Sequence, residues 1–227
     1  MPQPICHCME GTVAGARWLR TGIALVAALA LLLFAGVILW REDLRYSLPT
    51  PRPPALAQPA FGAQLLAAPA LAPLRPLLRG RPLLLHFYNP DCPCSRFNVQ
   101  HLQQLQRNYQ DRVDFVAVLQ SDDPAAAAAT FAGLALAMPG LPDRGGAIAA
   151  AFGVYSTPQA VLLDAGGRLF FRGNYNSARY CIDRRTAFAQ AAIERLLVGR
   201  PPPPDDPRAG VAYGCELPDA AGASDDR

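Results

Sequence analysis

The hydrophobic positions of the chain form one long uninterrupted run and several short ones. Residues 21–40 contain no charged side chain, and a helix of this length crosses a hydrocarbon layer of roughly 30 Å. Trp18 and Trp40 stand near the two ends of the run, where indole rings favour a membrane interface. A cleaved signal peptide is the alternative, but its apolar region is shorter, about 7–15 residues. The pattern therefore predicts an uncleaved membrane anchor.

The anchor divides the chain into segments of different composition. Residues 1–20 form a short tail, and residues 41–60 form a proline-rich linker that holds a domain away from a membrane. Residues 61–199 have the size of one compact domain. Residues 200–227 are again rich in proline and show no face that would be buried. We therefore expect one folded domain between an anchored linker and a C-terminal tail.

Within residues 61–199, short runs alternate between strand and helix patterns. Strand patterns cover residues 82–88, 113–119, 160–163 and 169–172. Helical patterns cover residues 95–110 and 124–138, a short stretch that Asp143 would cap, and a stretch that starts at Asp183. The first two strands pair in parallel through a right-handed crossover, and an Asp-Ala-Gly-Gly turn joins the last two as a hairpin. The order predicts an α/β sandwich, a mixed sheet flanked by helices, preceded by a single transmembrane helix.

Composition and charge exclude several classes of function. All 21 basic residues are arginine, against 18 acidic residues, and the formal net charge is +3. A chain without lysine has no Walker-type phosphate loop and no lysine Schiff base. The small and evenly spread charge does not indicate a nucleic-acid-binding surface.

A pair of cysteines carries the chemistry that the sequence predicts. Cys92 and Cys94 flank Pro93 where the first strand passes into a helix. A thiol at this junction faces unpaired backbone N–H groups and the positive end of the helix dipole, and both favour the thiolate. Arg96 adds to this effect, whereas Asp91 opposes it. The spacing therefore indicates a reactive thiol rather than two small residues filling a turn.

Two segments together resemble the thioredoxin-like superfamily, in particular its membrane-anchored periplasmic thiol–disulfide oxidoreductases. They are LLHFYNPDCPC and FGVYSTP followed by AVLLDAGGRLFFRG, and the resemblance covers about residues 82–199. It implies that Pro158 is cis and lies against the active-site sulfurs. It also implies that the backbone of Thr157 pairs with a substrate peptide, with Tyr88 and Pro93 as further substrate contacts.

The Cys-x-Cys spacing departs from the Cys-x-x-Cys of that superfamily. If Cys92 sets the register, Ser95 takes the place of the resolving cysteine; if Cys94 sets it, the loop has lost one residue. We expect a redox-active Cys92–Cys94 disulfide in which Cys92 is the attacking thiol, and a distant resolving thiol is the alternative. His86 lies six residues before Cys92, where the superfamily has a buried acid. It is either a base that takes a thiol proton near neutral pH or a hydrogen-bonded core histidine.

Four further cysteines lie outside the motif. In an oxidising compartment Cys181 and Cys215 would form a structural disulfide, and the alternative is that Cys181 resolves Cys92. Cys6 and Cys8 would lie in the short cytoplasmic tail without a role.

The predicted function is that of a membrane-anchored periplasmic thiol–disulfide oxidoreductase acting on protein cysteines through Cys92 and Cys94. It would be a single-pass inner-membrane protein with its C-terminal domain in the periplasm. Its redox partner would be a membrane electron carrier of the disulfide-bond system, and we expect no cofactor, no metal ion and no nucleic acid.

One alternative function is that of a copper chaperone, because two thiolates suit Cu(I), although a third ligand is missing nearby. Another is a peroxiredoxin-like peroxidase, although its Thr-x-x-Cys pattern is absent. The last alternative is a purely structural scaffold.

Overall fold

The structure is a computed structural model, and it describes residues 10–42, 48–177, 181, 183–204 and 206–217. The chain divides into two compact units, residues 1–45 and 46–227. Cys6 and Cys8, with the rest of residues 1–9, lie outside the described residues.

The described residues of the first unit form one helix, α1 (Glu10–Glu42). Its part from Arg17 to Arg41 is 25 residues long and, by length and composition, apolar enough to cross a membrane. A signal sequence meets the same criteria. The large apolar side chains of this part are exposed within the structure.

The second unit is built on a five-stranded mixed sheet. Its strands are β1 (Leu83–Tyr88), β2 (Asp114–Leu119), β3 (Gly140–Pro142), β5 (Gln159–Leu163) and β6 (Leu169–Gly173). Their order across the sheet is β3-β2-β1-β5-β6. β1 pairs in parallel with β2 and antiparallel with β5, while β5 and β6 form the antiparallel hairpin. The predicted pairing of all four strands is confirmed, and β1, buried on both faces, lies at the centre.

Helices cover both faces of the sheet. They are α2 (Pro93–Phe97), α3 (Val99–Tyr109), α4 (Pro124–Ala132), α5 (Ala147–Phe152), α6 (Phe188–Leu197), α7 (Pro207–Gly210) and a 3₁₀ helix (Pro69–Leu77). Two shorter 3₁₀ helices are Arg144–Gly146 and Arg184–Thr186, the second of which begins after Asp183. Two short strands, β4 (Ser156–Thr157) and β7 (Cys215–Glu216), form a separate pair. Alternate residues of β1 enter two apolar clusters, one packed with α3 and α6 and the other with the 3₁₀ helix and α5.

Two aspartates accept hydrogen bonds from backbone N–H groups in the first turns of helices. The Asp123 carboxylate accepts hydrogen bonds from two backbone N–H groups in the first turn of α4. Asp143 is buried and accepts from the N–H groups of Ile148 and Ala149 in α5, and also from Gln120 Nε2 at 2.6 Å. The helix predicted over residues 124–138 ends earlier, at Ala132.

The linker predicted over residues 41–60 packs against the domain from residue 48 onwards. Thr50 is buried, and its N–H donates to the carbonyl oxygen of Ala212. Gln58 Nε2 donates to the carbonyl oxygen of Gly153 at 3.0 Å. Gly153 has a φ of +70°, and a Cβ there would lie 2.7 Å from the carbonyl oxygen of Ala57. The spacer interpretation is therefore wrong for residues 48–60.

The prediction of a tail without a buried face is also wrong. Ala209, Ala212 and Leu217 are each less than 9% exposed. The side-chain amide of Asn174, at the end of β6, donates to the carbonyl oxygens of Arg208 and Val211. Small side chains separated by prolines do not produce a helical or strand period, which is why the sequence pattern did not predict this packing.

Candidate active site

The turn between β1 and α2 holds two of the cysteines. Cys92 is the N-cap residue of α2, and its carbonyl oxygen accepts from the N–H of Ser95. The turn closes through Asn89, whose carbonyl oxygen accepts from the N–H of Cys92 and whose side chain accepts from the N–H of Asp91. The single helix predicted over residues 95–110 is divided at Asn98. Cys92 and Cys94 are 1% and 7% exposed, so the sulfurs lie beneath the surface.

Cys92 forms a disulfide with Cys215. Both predicted disulfides, Cys92–Cys94 and Cys181–Cys215, are therefore absent from the structure. The Cα atoms of Cys92 and Cys215 are 5.8 Å apart, within the usual range for a disulfide. Cys92 is the extended residue before α2, whereas Cys94 lies inside that helix, and the Cys94 sulfur is outside the disulfide.

Three sulfur atoms nevertheless lie together. The Sγ atoms of Cys92, Cys94 and Cys215 are all within 4.8 Å of one another. Cys94 is buried and outside the disulfide, and its sulfur lies within 4.8 Å of both bonded sulfurs. The same three atoms form the one group of metal-ligand type found among the described residues. Binding of a metal ion by these three cysteines would require prior reduction of the disulfide, because cysteine binds a metal ion as a thiolate.

The predicted cis bond is present between Thr157 and Pro158. The Cys92 sulfur lies 3.5 Å from the carbonyl oxygen of Thr157; a disulfide-bonded sulfur has no proton, so this is a contact rather than a hydrogen bond. Thr157 is fully buried, while Pro158 is half-buried. The two motifs that carry the resemblance, 65 residues apart in the chain, therefore meet at one sulfur.

The edge of β4 is occupied by the C-terminal segment. β7 runs antiparallel to β4, with Thr157 opposite Cys215 and Ser156 opposite Glu216. Ser156 Oγ donates to the carbonyl oxygen of Cys215 at 3.0 Å. The backbone position that the resemblance assigns to a substrate peptide is thus filled by the chain itself.

His86 lies in the interior and does not titrate near neutral pH. It is 0% exposed, and its Nδ1 is 2.9 Å from the hydroxyl oxygen of Tyr175. Burial lowers the pKa of His86 to about 3, because a charged imidazolium loses its hydration in the interior. The burial and the hydrogen bond favour the interpretation as a hydrogen-bonded core histidine over that of a near-neutral base.

Tyr88 and Pro93 have different surroundings. Tyr88 is fully buried, and its ring packs edge-on against Phe131 in the core, so it is not positioned to contact a substrate. Pro93 is half-buried between the two cysteines as the first residue of α2.

Cys181 forms neither of the bonds predicted for it. Its Sγ donates to Asn98 Oδ1 at 3.1 Å, at the junction of α2 and α3. Burial raises the pKa of the Cys181 thiol to about 12, which leaves it protonated and therefore a poor nucleophile at neutral pH. The resolving role suggested for Cys181 is not supported by this geometry.

Sequence reasoning missed three residues of the site: Cys215 as the partner of Cys92, Ser156 on the pairing edge, and Tyr175 beside His86. The even count of cysteines in the chain was the available signal for Cys215, but it does not specify the pairing. Tyr175 lies in a polar stretch directly after β6, and that stretch resembles an exposed loop.

The sheet order, with a cis proline facing the turn after β1, defines a thioredoxin-like α/β fold. The chain belongs to the family designated DUF6436, a domain of unknown function, whose model matches residues 64–215. No curated protein matches the chain.

Several solved structures resemble the domain. A hypothetical protein of Sinorhizobium meliloti is 23% identical with a TM-score of 0.55, covering 63% of this chain and 82% of its own. An uncharacterised conserved protein of Geobacillus kaustophilus is 23% identical with a TM-score of 0.53, covering 61% and 77%. A secreted disulfide oxidoreductase of Mycobacterium tuberculosis is 24% identical with a TM-score of 0.41, covering 54% and 85%. At these identities the likeness concerns the fold.

Proposed function

We propose that this protein is a membrane-anchored thiol–disulfide oxidoreductase that acts on cysteines of other proteins outside the cytoplasm. The observation that carries the proposal is the cluster of three sulfurs within 4.8 Å of one another, one of which contacts the residue before the cis proline. Disulfide exchange requires a thiolate next to a disulfide sulfur. This arrangement places a third sulfur beside an existing disulfide.

In the proposed reaction Cys92 is the sulfur that bonds to substrate and Cys94 is the resolving thiol. When the Cys94 thiolate attacks Cys92 Sγ, a new S–S bond forms and the sulfur previously bonded to Cys92 leaves as a thiolate. Thr157 and Pro158 position the substrate beside Cys92. His86, neutral at physiological pH, supports the turn from β1 rather than moving a proton.

The location of the domain is part of the proposal. α1 contains a stretch that could cross a membrane, and a disulfide between Cys92 and Cys215 persists in an oxidising compartment such as the periplasm. The redox partner would then be an electron carrier of the inner membrane. A reporter that is active only after export, fused behind residue 227, should be active; activity of a reporter that works only in the cytoplasm would contradict this part.

Trapping of the mixed disulfide tests the chemistry. In the full-length chain with Cys94→Ser and Cys215→Ser, Cys92 is the remaining sulfur of the cluster. We expect this variant to accumulate a covalent adduct with a peptide disulfide, measured by intact mass. Adding Cys92→Ser should abolish the adduct, and adding Cys181→Ser should leave it unchanged, because Cys181 is held at Asn98. An adduct that survives the loss of Cys92 would refute the proposal.

A further inference from the structure

The segment around Cys215 has the geometry of a bound peptide. It is extended, pairs antiparallel with Ser156–Thr157, and is joined to Cys92 by a disulfide. Pairing of an extended segment with the edge of a strand is a general mode of peptide recognition. A substrate that pairs with β4 and bonds to Cys92 therefore needs the place that residues 214–216 now fill.

The closest approach in this pairing occurs at Gly214. A Cβ at Gly214 would overlap the carbonyl oxygen of Thr157 and lie 3.2 Å from Ser156 Oγ. Any residue other than glycine would push the segment away from β4, because no real Cβ contact is so short. On the other side of Cys215, Leu217 is 3% exposed and belongs to the apolar cluster that includes α5.

We propose that residues 214–217 are an internal stand-in for the substrate, and that the substrate is an extended segment of another protein with glycine before its cysteine and an apolar residue two positions after it. This inference rests on the oxidoreductase function proposed above. In this inference β4 determines substrate specificity. Thr157 excludes any side chain larger than that of glycine at the position before the substrate cysteine, and the apolar cluster accepts an apolar side chain two positions after it.

The residues before Gly214 are held independently of the sulfurs. The N–H of Ala212 donates to the hydroxyl oxygen of Tyr155, and its carbonyl oxygen accepts from the N–H of Thr50 at 2.8 Å. Asn174 holds the carbonyl oxygens of Arg208 and Val211. Residues 214–217 therefore leave and return while residues 208–212 remain attached, and Cys215 stays close to Cys92 during substrate exchange.

The reaction balances as a sequence of exchanges from the reduced chain. The Cys92 thiolate attacks one sulfur of a substrate disulfide, and the other substrate sulfur leaves as a thiolate. The Cys94 thiolate then attacks Cys92 Sγ, which breaks the bond to substrate and completes the transfer of two electrons to it. Finally the Cys215 thiolate attacks Cys92 and releases Cys94, without net oxidation, which produces the disulfide seen in the structure.

The test uses full-length protein in detergent with Cys94→Ser and Cys215→Ser. The probe is a synthetic peptide, VAYGCELP, which copies residues 211–218 and carries thionitrobenzoate on its cysteine as a coloured leaving group. Attack by Cys92 releases this group, and its rate is followed by absorbance. The control peptides are VAYACELP, which replaces the glycine with alanine, and VAYGCESP, which replaces the leucine with serine. We expect VAYGCELP to react roughly tenfold faster than either, because the first control overpacks the contact with β4 and the second leaves the apolar contact unfilled.

Two glycine substitutions in the protein test the contact with β4; Gly214 has a φ of +143°, so its replacement also strains the backbone, which Gly210→Ala does not. Gly214→Ala should loosen the segment from β4 and accelerate the reaction with VAYGCELP by about tenfold. Gly210→Ala should not, because a Cβ at Gly210 meets no atom within 4 Å. The peptide comparison needs neither substitution, so it decides the question even if Gly214→Ala does not fold.

Each outcome separates the two proposals. Equal rates for the three peptides would refute the inference that residues 214–217 resemble the substrate. The oxidoreductase function would still stand, provided that Cys92→Ser abolishes the reaction. Equal rates of folded Gly214→Ala and Gly210→Ala proteins would likewise count against it. If Cys92 reacts with none of the peptides and forms no adduct with other disulfides, the oxidoreductase function itself fails.

Discussion

Replacing His86 with glutamine should make the stability of the domain less dependent on pH. Burial lowers the pKa of His86 to about 3 in the folded chain, against about 6.5 when the chain is unfolded. Between these values the unfolded chain binds a proton that the folded chain does not. The free energy of unfolding that His86 contributes is therefore fully present above the unfolded pKa, and it falls as the pH falls towards the folded pKa.

The expected size follows from the two pKa values. Between about pH 7.5 and about pH 4.5, His86 alone should remove about 3 kcal/mol from the free energy of unfolding, since two pKa units each correspond to about 1.4 kcal/mol. Glutamine has no charge to acquire, and its amide offers the Tyr175 hydroxyl a hydrogen-bond partner in place of Nδ1. Between about pH 7.5 and about pH 4.5, the free energy of unfolding of His86→Gln should therefore fall by about 3 kcal/mol less than that of the wild type.

Pulse proteolysis in urea is a suitable assay, because both tryptophans lie in α1 and do not report on the domain. Wild type and His86→Gln are compared as full-length chains in detergent, with the Cys92–Cys215 disulfide intact. Burial also lowers the pKa of His101, but this contribution is common to both proteins and cancels in the difference. Parallel pH profiles for the two proteins would refute the argument that His86 is held neutral by burial.

Two further predictions concern stability. Gly153→Ala should lower the free energy of unfolding, measured by urea denaturation, by about 1–3 kcal/mol more than Gly145→Ala. Both glycines have positive φ, but only a Cβ at Gly153 would meet residues 57–58. Equal losses for the two variants would mean that residues 57–58 are not packed against Gly153. Asp143→Ala should lower the free energy of unfolding by about 1–3 kcal/mol in the same assay, because it leaves Gln120 Nε2 and two N–H groups of α5 without their acceptor. A loss of only a few tenths of a kcal/mol would contradict these hydrogen bonds.

The regular part of the fold was predictable because its signals are local. Each of the four main strands is a buried apolar run, and the order of strands and helices permits few topologies. Asp123 and Asp143 marked helix starts through side chains that accept from nearby N–H groups. The cis bond before Pro158 followed from a motif whose residues are contiguous in the chain.

The arrangement of the site was less predictable because it depends on contacts distant in sequence. Cys92 and Cys215 are separated by 123 residues, and four or more cysteines allow several pairings that spacing alone does not distinguish. β4 and β7 contain two residues each, too few to show an alternating period. His86 lies on the fully buried central strand, and its hydrogen-bond partner Tyr175 is 89 residues further along the chain.

The separation of Cys92 from Cys215 also orders events during synthesis. At about 5–20 residues per second, a ribosome needs on the order of 10 s to add the residues between them. During that interval Cys94 is the cysteine nearest to Cys92 in the growing chain, and the edge of β4 has no strand of its own to pair with. Any early bond between Cys92 and Cys94 must therefore be exchanged when Cys215 arrives. That exchange would be the same sulfur rearrangement that the proposed catalytic cycle requires of a finished molecule.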